Sequence, residues 1–143
     1  MATPDELRGA IADGRAALRS ALEAAASGAW ERKLAGGEGE AGWSAREAAE
    51  HVVPVEAMFT TAVCTACGYP GVEFAQPSYA TAAEAIAGLE AVTELTNKRL
   101  KYVSDTDLEK VHAEWKRSAA DILAVDAHHL HEHAAQIRLA AGV

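Results

Sequence analysis

Cysteine and aromatic residues are scarce in this chain. Two cysteines in 143 residues cannot form the disulfide framework that stabilises small secreted domains. Aromatic residues make up only 6% of the composition, and alanine supplies much of the apolar half. Alanine favours helices that pack closely. An alanine- and glycine-heavy composition is also typical of proteins from GC-rich bacteria.

The chain also lacks a surplus of basic residues and a long apolar run. Its net charge of −8 argues against a nucleic acid or an anionic membrane as the main partner. No apolar stretch reaches the length of a membrane span. The N-terminus has neither the basic region nor the apolar region of a signal peptide. We therefore expect a cytoplasmic protein. We also expect a single domain over residues 1–143, because a chain of this length usually forms one hydrophobic core.

Four segments begin with the signals of a helix N-terminus. In each, a Ser or Thr can cap the helix and an acidic residue follows three positions later. The four pairs are Thr3/Glu6, Ser44/Glu47, Thr81/Glu84 and Ser118/Asp121. The first three helices are predicted to end near Ser27–Gly28, Cys64–Gly68 and Ser104, where the apolar spacing stops. Four helices without strand signals predict an all-α four-helix bundle.

The connections between these helices are less regular. The glycine-rich segment 36–40 is predicted to be a flexible polar loop, and 69–78 an extended connection across the bundle end. Segment 105–116 is the least defined. In it we expect a short helical turn, His112 at the surface and Trp115 against the bundle end.

The second helix carries a histidine among apolar residues. Helical spacing places His51 in the middle of this face, and Pro54 should bend the helix one turn later. The apolar members of the face are Ala48, Val52, Val55, Met58, Phe59 and Ala62. A lone inward histidine is most often a satisfied core residue, so this position by itself does not define a site.

The last helix holds four of the six histidines. His129 and His133 are four residues apart and lie beside an apolar stripe, whereas His128 and His131 point toward solvent. The stripe consists of Leu123, Ala127, Leu130, Ala134 and Ile137. An inward histidine pair on successive turns can be bridged by a divalent metal, although such a pair also arises by chance in a histidine-rich segment.

Together with His51, this pair would supply three nitrogen ligands and leave a position for water or substrate. That pattern is typical of a catalytic metal site. Nearby polar residues could orient the imidazoles through their other nitrogens. The candidates for this role are Asp126, Gln136, Glu50 and Glu56. Three imidazoles suit zinc, nickel, copper or iron, so spacing alone does not select the metal.

Two short motifs resemble the DinB-like family, which includes the DinB/YfiT proteins and the mycothiol-dependent maleylpyruvate isomerases. They are WSAREAAEHVVPVEAMF, residues 43–59, and HLHEHAAQI, residues 129–137. The resemblance implies a four-helix bundle of up-down-down-up topology. It also implies a divalent ion, zinc or nickel, held by His51, His129 and His133.

The chain departs from the family pattern at two places. Ala134 and Ala135 stand where many members have Arg-Gly, and His129 stands where the isomerases tend to carry glutamate. The three-histidine set is therefore more similar to the bacillithiol-transferase branch and to branches of uncharacterised members. The resemblance to the first of these implies transfer of a low-molecular-weight thiol, the co-substrate, to a small electrophilic substrate.

Two other functions stay open at the level of sequence. One is a non-catalytic metal-binding protein of the stress response with the same fold. The other is a helical interaction module, which could form a homodimer through an alanine-rich helix face. Metal content separates the interaction module from the metal-binding alternatives, because only a metal site should lose its ion when a histidine is replaced.

The motif Cys64-Thr65-Ala66-Cys67 has a CxxC spacing. It could be a redox pair or half of a zinc site, but no second CxxC and no βαβ pattern accompany it. We interpret the two cysteines as small, partly buried residues at a helix end.

Overall fold

Four long helices make up most of the structure, a computed structural model that describes residues 1–143. They are α1 (Pro4–Ala25), α2 (Ala45–Cys67), α3 (Ala82–Leu100) and α4 (Ala119–Ala141). Two single-turn 3-10 helices occur at Gly39–Gly42 and Thr106–Glu109. A two-stranded antiparallel hairpin pairs β1 (Val111–His112) with β2 (Arg117–Ser118). The predicted all-α four-helix bundle is confirmed.

All four helices begin at the predicted caps. The side chains of Thr3 and Ser118 accept hydrogen bonds from the backbone N–H three residues later. Ser44 and Thr81 each form a complete capping box with the glutamate at the third helical position. These interactions involve residues within one turn, so the local sequence is sufficient to place the starts.

Contacts between helix ends establish the topology. Ala29, just after α1, donates its N–H to the carbonyl of Ala141 at the end of α4, so α1 and α4 run parallel. The Trp30 indole donates to the carbonyl of Tyr79, just before α3. Glu50, near the start of α2, accepts a hydrogen bond from the Tyr79 N–H at 2.7 Å. Helices α2 and α3 therefore start where α1 and α4 end, which is the up-down-down-up topology implied by the resemblance.

The core is formed by small and branched side chains from all four helices. Its largest fully buried apolar residues are Ile11, Leu18, Leu22, Val52, Val53, Val63, Leu100, Ile122, Leu123, Leu130 and Ile137. Gly14 of α1 allows a close approach, because a Cβ at this position would lie 2.9 Å from the Cβ of Leu130 in α4. None of the helices combines the length and the apolar character needed to span a bilayer.

The buried face of α2 is rotated from its predicted position. Glu56 and Thr60 are buried, whereas Met58 is 48% exposed. His51 lies at the edge of the face, with 31% of its side chain exposed. The prediction was wrong because a polar residue that finds a buried partner does not follow the apolar pattern. The partner of Glu56 is Arg15 of α1.

Segment 101–118 also differs from the prediction. Helix α3 ends at Leu100 rather than near Ser104, and the β-hairpin has no clear sequence signal. His112 is buried rather than at the surface, and its Nδ1 accepts a hydrogen bond from the backbone N–H of Trp115. The Trp115 ring packs against Phe59 of α2 at 6.0 Å between centroids and stays 36% exposed.

The two cysteines are buried and free. Burial raises the pKa of the Cys67 thiol to about 11 and also raises the pKa of Cys64. Both thiols are therefore protonated and weakly nucleophilic near neutral pH. This environment agrees with two small buried residues at a helix end.

Candidate metal centre

Three histidine side chains meet where α2 and α4 pack against each other. The Nε2 atom of His129 lies 3.3 Å from Nε2 of His51 and 2.9 Å from Nε2 of His133. One donor atom from each residue lies within 4.8 Å of the other two. His129 and His133 are on successive turns of α4, and the antiparallel α2 brings His51 against them. We call these three residues the histidine cluster.

The spacing of these nitrogens suits a single divalent ion. Tetrahedral coordination with metal–nitrogen bonds of 2.0–2.1 Å separates the ligand atoms by about 3.3 Å. His129 Nε2 belongs to both close pairs but carries only one proton or one lone pair, so it cannot form a full hydrogen bond with His51 and His133 at the same time. A cation between the three rings would satisfy all of them. The donor set therefore fits the metal that the resemblance implies.

One imidazole is oriented through its second nitrogen. His133 Nδ1 is hydrogen-bonded to Oε1 of Gln136, three residues later in α4. Because an amide oxygen only accepts, His133 carries its proton on Nδ1 and directs the Nε2 lone pair into the cluster. The amide nitrogen of Gln136 donates to the backbone carbonyl of Glu40, in the loop before α2.

The surroundings favour the neutral form of two imidazoles of the cluster, those of His51 and His129. Burial lowers the pKa of His129 to about 4, assisted by the neighbouring imidazoles of His133 and His51. Burial and His133 also lower the pKa of His51, against a weaker opposing effect of the Glu40 carboxylate. A neutral imidazole is the form that binds a metal. His51 and His129 are therefore in the form that can bind a metal at neutral pH.

Aromatic rings form the walls of the cluster. The Trp43 ring lies 5.1 Å from the His51 ring and 6.5 Å from the His133 ring, centroid to centroid. Phe59 packs edge-on against His129 at 5.5 Å. These rings limit the movement of the imidazoles and exclude water from two sides.

The other predicted site residues have different surroundings. Glu50 accepts hydrogen bonds from Arg46 and from the Tyr79 backbone, and Glu56 is paired with Arg15. Asp126 is buried, and its Oδ2 has no hydrogen-bond partner. Among the four residues predicted to orient the imidazoles, Gln136 is the one that makes a direct hydrogen bond to a histidine of the cluster.

Sequence reasoning missed Glu40 as a site residue. Its Oε1 lies 3.7 Å from Nε2 of His51, although the glycine-rich loop around it was expected only to be flexible and polar. The loop is closed by backbone contacts, and a Cβ on Gly37 would lie 2.5 Å from the carbonyl oxygen of Ala41. The available signal was the pair of acidic residues Glu38 and Glu40 among the loop glycines, and it does not single out Glu40.

The main cavities lie away from the histidine cluster. The largest, about 750 Å³, is lined by Thr61, Pro70, Gly71, Val72, Glu73, Leu95, Lys98 and Arg99. A second cavity of about 360 Å³ runs along the outer face of α2, between Pro54, Met58, Phe74 and Trp115. Its lining is about equally polar and apolar, and Phe59 stands between Trp115 and His129. None of the five main cavities includes a histidine of the cluster.

A four-helix bundle whose facing helices direct three imidazoles to one point defines a class of bundle proteins able to hold a metal in the core. The family model of the DinB superfamily matches residues 10–137. The chain belongs to the DinB superfamily. No curated protein and no solved structure matches it significantly.

Proposed function

We propose that the protein is a divalent-metal-dependent enzyme that transfers a low-molecular-weight thiol to a small electrophilic substrate. The observation that carries this proposal is the convergence of three Nε2 atoms at a place where His51 is partly open to solvent. His51, His129 and His133 would hold the ion, zinc or nickel, and Gln136 would orient His133. A bound ion would lower the pKa of a thiol placed beside it and favour the thiolate.

The reaction is nucleophilic substitution at carbon. The sulfur forms a C–S bond to the electrophilic carbon while the bond from that carbon to its leaving group breaks. The leaving group takes the bonding electron pair, and the thiol proton passes to water. The cavity of about 360 Å³ along α2 supports a small substrate, since its volume is within the usual range for small ligands.

Metal analysis tests the first half of the proposal. We expect the purified protein to bind one zinc or nickel ion per chain, and His133→Ala to lose the ion on dialysis because only two of the three imidazoles remain. His131→Ala is the matched control, since His131 is exposed on the same helix. Elemental analysis after dialysis against each metal measures the outcome. A wild-type chain that stays free of metal would contradict the assignment.

Activity measurements test the second half. The metal-loaded protein is mixed with bacillithiol, mycothiol or glutathione and with a chromogenic electrophile such as a nitroaryl halide. We expect thioether formation with at least one thiol, and loss of this activity in His133→Ala. A metal-loaded protein that is inert toward all of these pairs would remove the transferase function and retain the metal site.

One observation favours a second candidate, a non-catalytic metal-binding protein of the stress response. None of the main cavities opens onto the histidine cluster, as expected if no cofactor-sized thiol has to enter. This candidate predicts tight metal binding without thiol transfer. The activity measurement above therefore separates the two candidates.

We place this function in the cytoplasm, where the two free thiols of Cys64 and Cys67 would stay reduced. A homodimer through an alanine-rich helix face is a further part of the proposal. Light scattering coupled to size exclusion distinguishes a dimer from a monomer of 15.0 kDa.

A further inference from the structure

The loop between α1 and α2 brings a carboxylate to the histidine cluster. Glu40 Oε1 lies 3.7 Å from Nε2 of His51, close to the separation of about 3.3 Å expected for two ligands of one tetrahedral ion. We propose that Glu40 is a fourth, exchangeable ligand of the metal, and that the incoming thiol displaces it. This inference rests on the metal site of the proposed function.

The loop backbone is held in place for this role. Gln136 donates its amide N–H to the Glu40 carbonyl while its amide oxygen binds His133, so one side chain connects the loop to the cluster. The Glu40 carbonyl also accepts the N–H of Trp43, whose ring forms one wall of the cluster. The backbone of Glu40 is therefore positioned by the groups that shape the site.

The side chain of Glu40 is free to move. It is 60% exposed, and within the cluster it comes within ion-pair distance of His51 alone. A rotation about its exposed side-chain bonds would bring the carboxylate onto an ion bound by the three imidazoles. Carboxylate oxygen is an ordinary zinc ligand, and a closed fourth position distinguishes a resting site from one that is open to substrate.

The local charge favours such a ligand. Three neutral imidazoles leave a divalent ion with its full charge, and one carboxylate halves that charge. No lysine or arginine side chain forms an ion pair with Glu40. The carboxylate is therefore not already neutralised by a cation of the chain.

Zinc affinity and the spectrum of the cobalt-substituted protein test this assignment. Glu40→Gln preserves the backbone hydrogen bonds and the side-chain size but removes the charge. We expect it to weaken zinc binding at least about tenfold in competition with a chromophoric chelator, which is the lower end of the loss caused by removing even an outer partner of a ligand. The visible bands of bound Co²⁺ should also change, because one carboxylate oxygen is replaced by water.

A second measurement follows the displacement of Glu40 from the metal by a thiol. With 2-mercaptoethanol as the probe, the thiolate-to-cobalt charge-transfer band reports binding of sulfur to the ion. Glu40→Gln should bind this thiol more tightly than the wild type, because no carboxylate has to leave. Glu38→Gln is the matched control, since Glu38 is exposed in the same loop and has no contact with the histidines.

The outcomes are distinguishable. If Glu40→Gln has the zinc affinity, cobalt spectrum and thiol affinity of Glu38→Gln, the fourth-ligand assignment is overturned and the metal site remains. If the wild type binds no zinc, or if His133→Ala binds as much as the wild type, the metal site itself fails and the assignment of Glu40 fails with it.

Discussion

Two polar clusters interrupt the apolar interior of this bundle, and they differ in how their groups are satisfied. The histidine cluster directs neutral ring nitrogens at one another and leaves their lone pairs without enough donors. The second, which we call the Arg15 cluster, surrounds a buried guanidinium. Its members are Arg15, Glu56, Thr96, Asn97 and Asp126.

Every nitrogen of the Arg15 guanidinium has a partner. It donates to Glu56 of α2, to Asn97 Oδ1 at 2.6 Å and to Thr96 Oγ1 at 2.7 Å, both of α3. The carboxyl group of Asp126 in α4 interacts electrostatically with Arg15 and Glu56. Arg15 therefore links all four helices through its hydrogen bonds and its charge, and one carboxyl oxygen each of Glu56 and Asp126 is left without a hydrogen-bond partner.

This difference identifies the histidine cluster as a candidate binding site and the Arg15 cluster as a structural feature of the bundle. Lone pairs that converge without donors can bind a cation from outside, whereas the Arg15 guanidinium already has a partner within the chain at each of its three nitrogens. A buried ion pair also costs desolvation energy, so its net contribution to stability is smaller than its contacts suggest, whereas removal of one partner is strongly destabilising. The comparison makes opposite predictions for substitutions in the two clusters.

The largest expected effect on folding comes from Arg15→Met. It leaves Glu56 buried without its partner, which costs about 3–5 kcal/mol of unfolding free energy. Urea unfolding followed by circular dichroism measures the loss. Arg19→Met is the control, because Arg19 is one turn later and its ion pairs with Glu23 and Glu90 are exposed. An equal loss in both variants would contradict the structural role of Arg15.

Zinc binding tests whether the histidine cluster and the Arg15 cluster are independent of each other. An excess of zinc at about 100 times its Kd should raise the unfolding free energy by about 2.7 kcal/mol, in Arg15→Met as in the wild type. It should have no effect on His133→Ala. A zinc response that is lost in Arg15→Met at a temperature where this variant is folded would show that the two clusters are not independent.

A smaller effect, a loss of zinc affinity, is expected from Gln136→Ala. Without the hydrogen bond to Nδ1, His133 is free to adopt the other tautomer and to rotate, so zinc affinity should fall about tenfold. Competition with a chelator measures the affinity, and Glu132→Ala, on the exposed side of α4, is the control. An unchanged affinity would mean that the wall formed by Trp43 is sufficient to orient the ring.

The smallest expected effect is a change in how the free energy of unfolding depends on pH, and it arises from Asp126. Burial and the nearby negative charge of Glu56 raise the pKa of Asp126 well above its ordinary value, against the opposing effect of Arg15. The folded state thus holds this proton more tightly than the unfolded state, so stability falls as pH rises above the unfolded pKa of about 3.9. Asp126→Asn removes this penalty.

We therefore expect Asp126→Asn to gain stability relative to the wild type between pH 4 and pH 7. Urea unfolding at several pH values measures the difference, and Asp13→Asn, at an exposed position of α1, should show no such trend. A difference that stays constant with pH would mean that Asp126 titrates normally in the folded protein.

Local signals in the sequence were sufficient for most of the fold. Ser44 and Glu47 are three residues apart and complete a capping box whatever the rest of the chain does. The same holds for the inward position of His133, which follows from the apolar stripe of its own helix. The family match over residues 10–137 confirms what the motifs around His51 and His129 indicated.

Contacts between residues that are far apart in the chain explain where the sequence predictions were wrong or incomplete. Glu56 is buried because Arg15 lies across the bundle, 41 residues earlier, and periodicity within α2 cannot show this. His112 is buried because the hairpin folds it inward. Glu40 lies beside His51 because a hydrogen bond to Gln136, 96 residues later, positions its loop.

The amino-acid sequence by itself determined the four helices, their caps and the inward direction of the histidine pair in α4, because these depend on residues within a few turns. The tertiary structure alone decided that three Nε2 atoms meet, that Glu40 stands beside them and that Arg15 links the helices. Such juxtapositions depend on how whole helices pack, and the free energy of packing comes from residues that are distant along the chain.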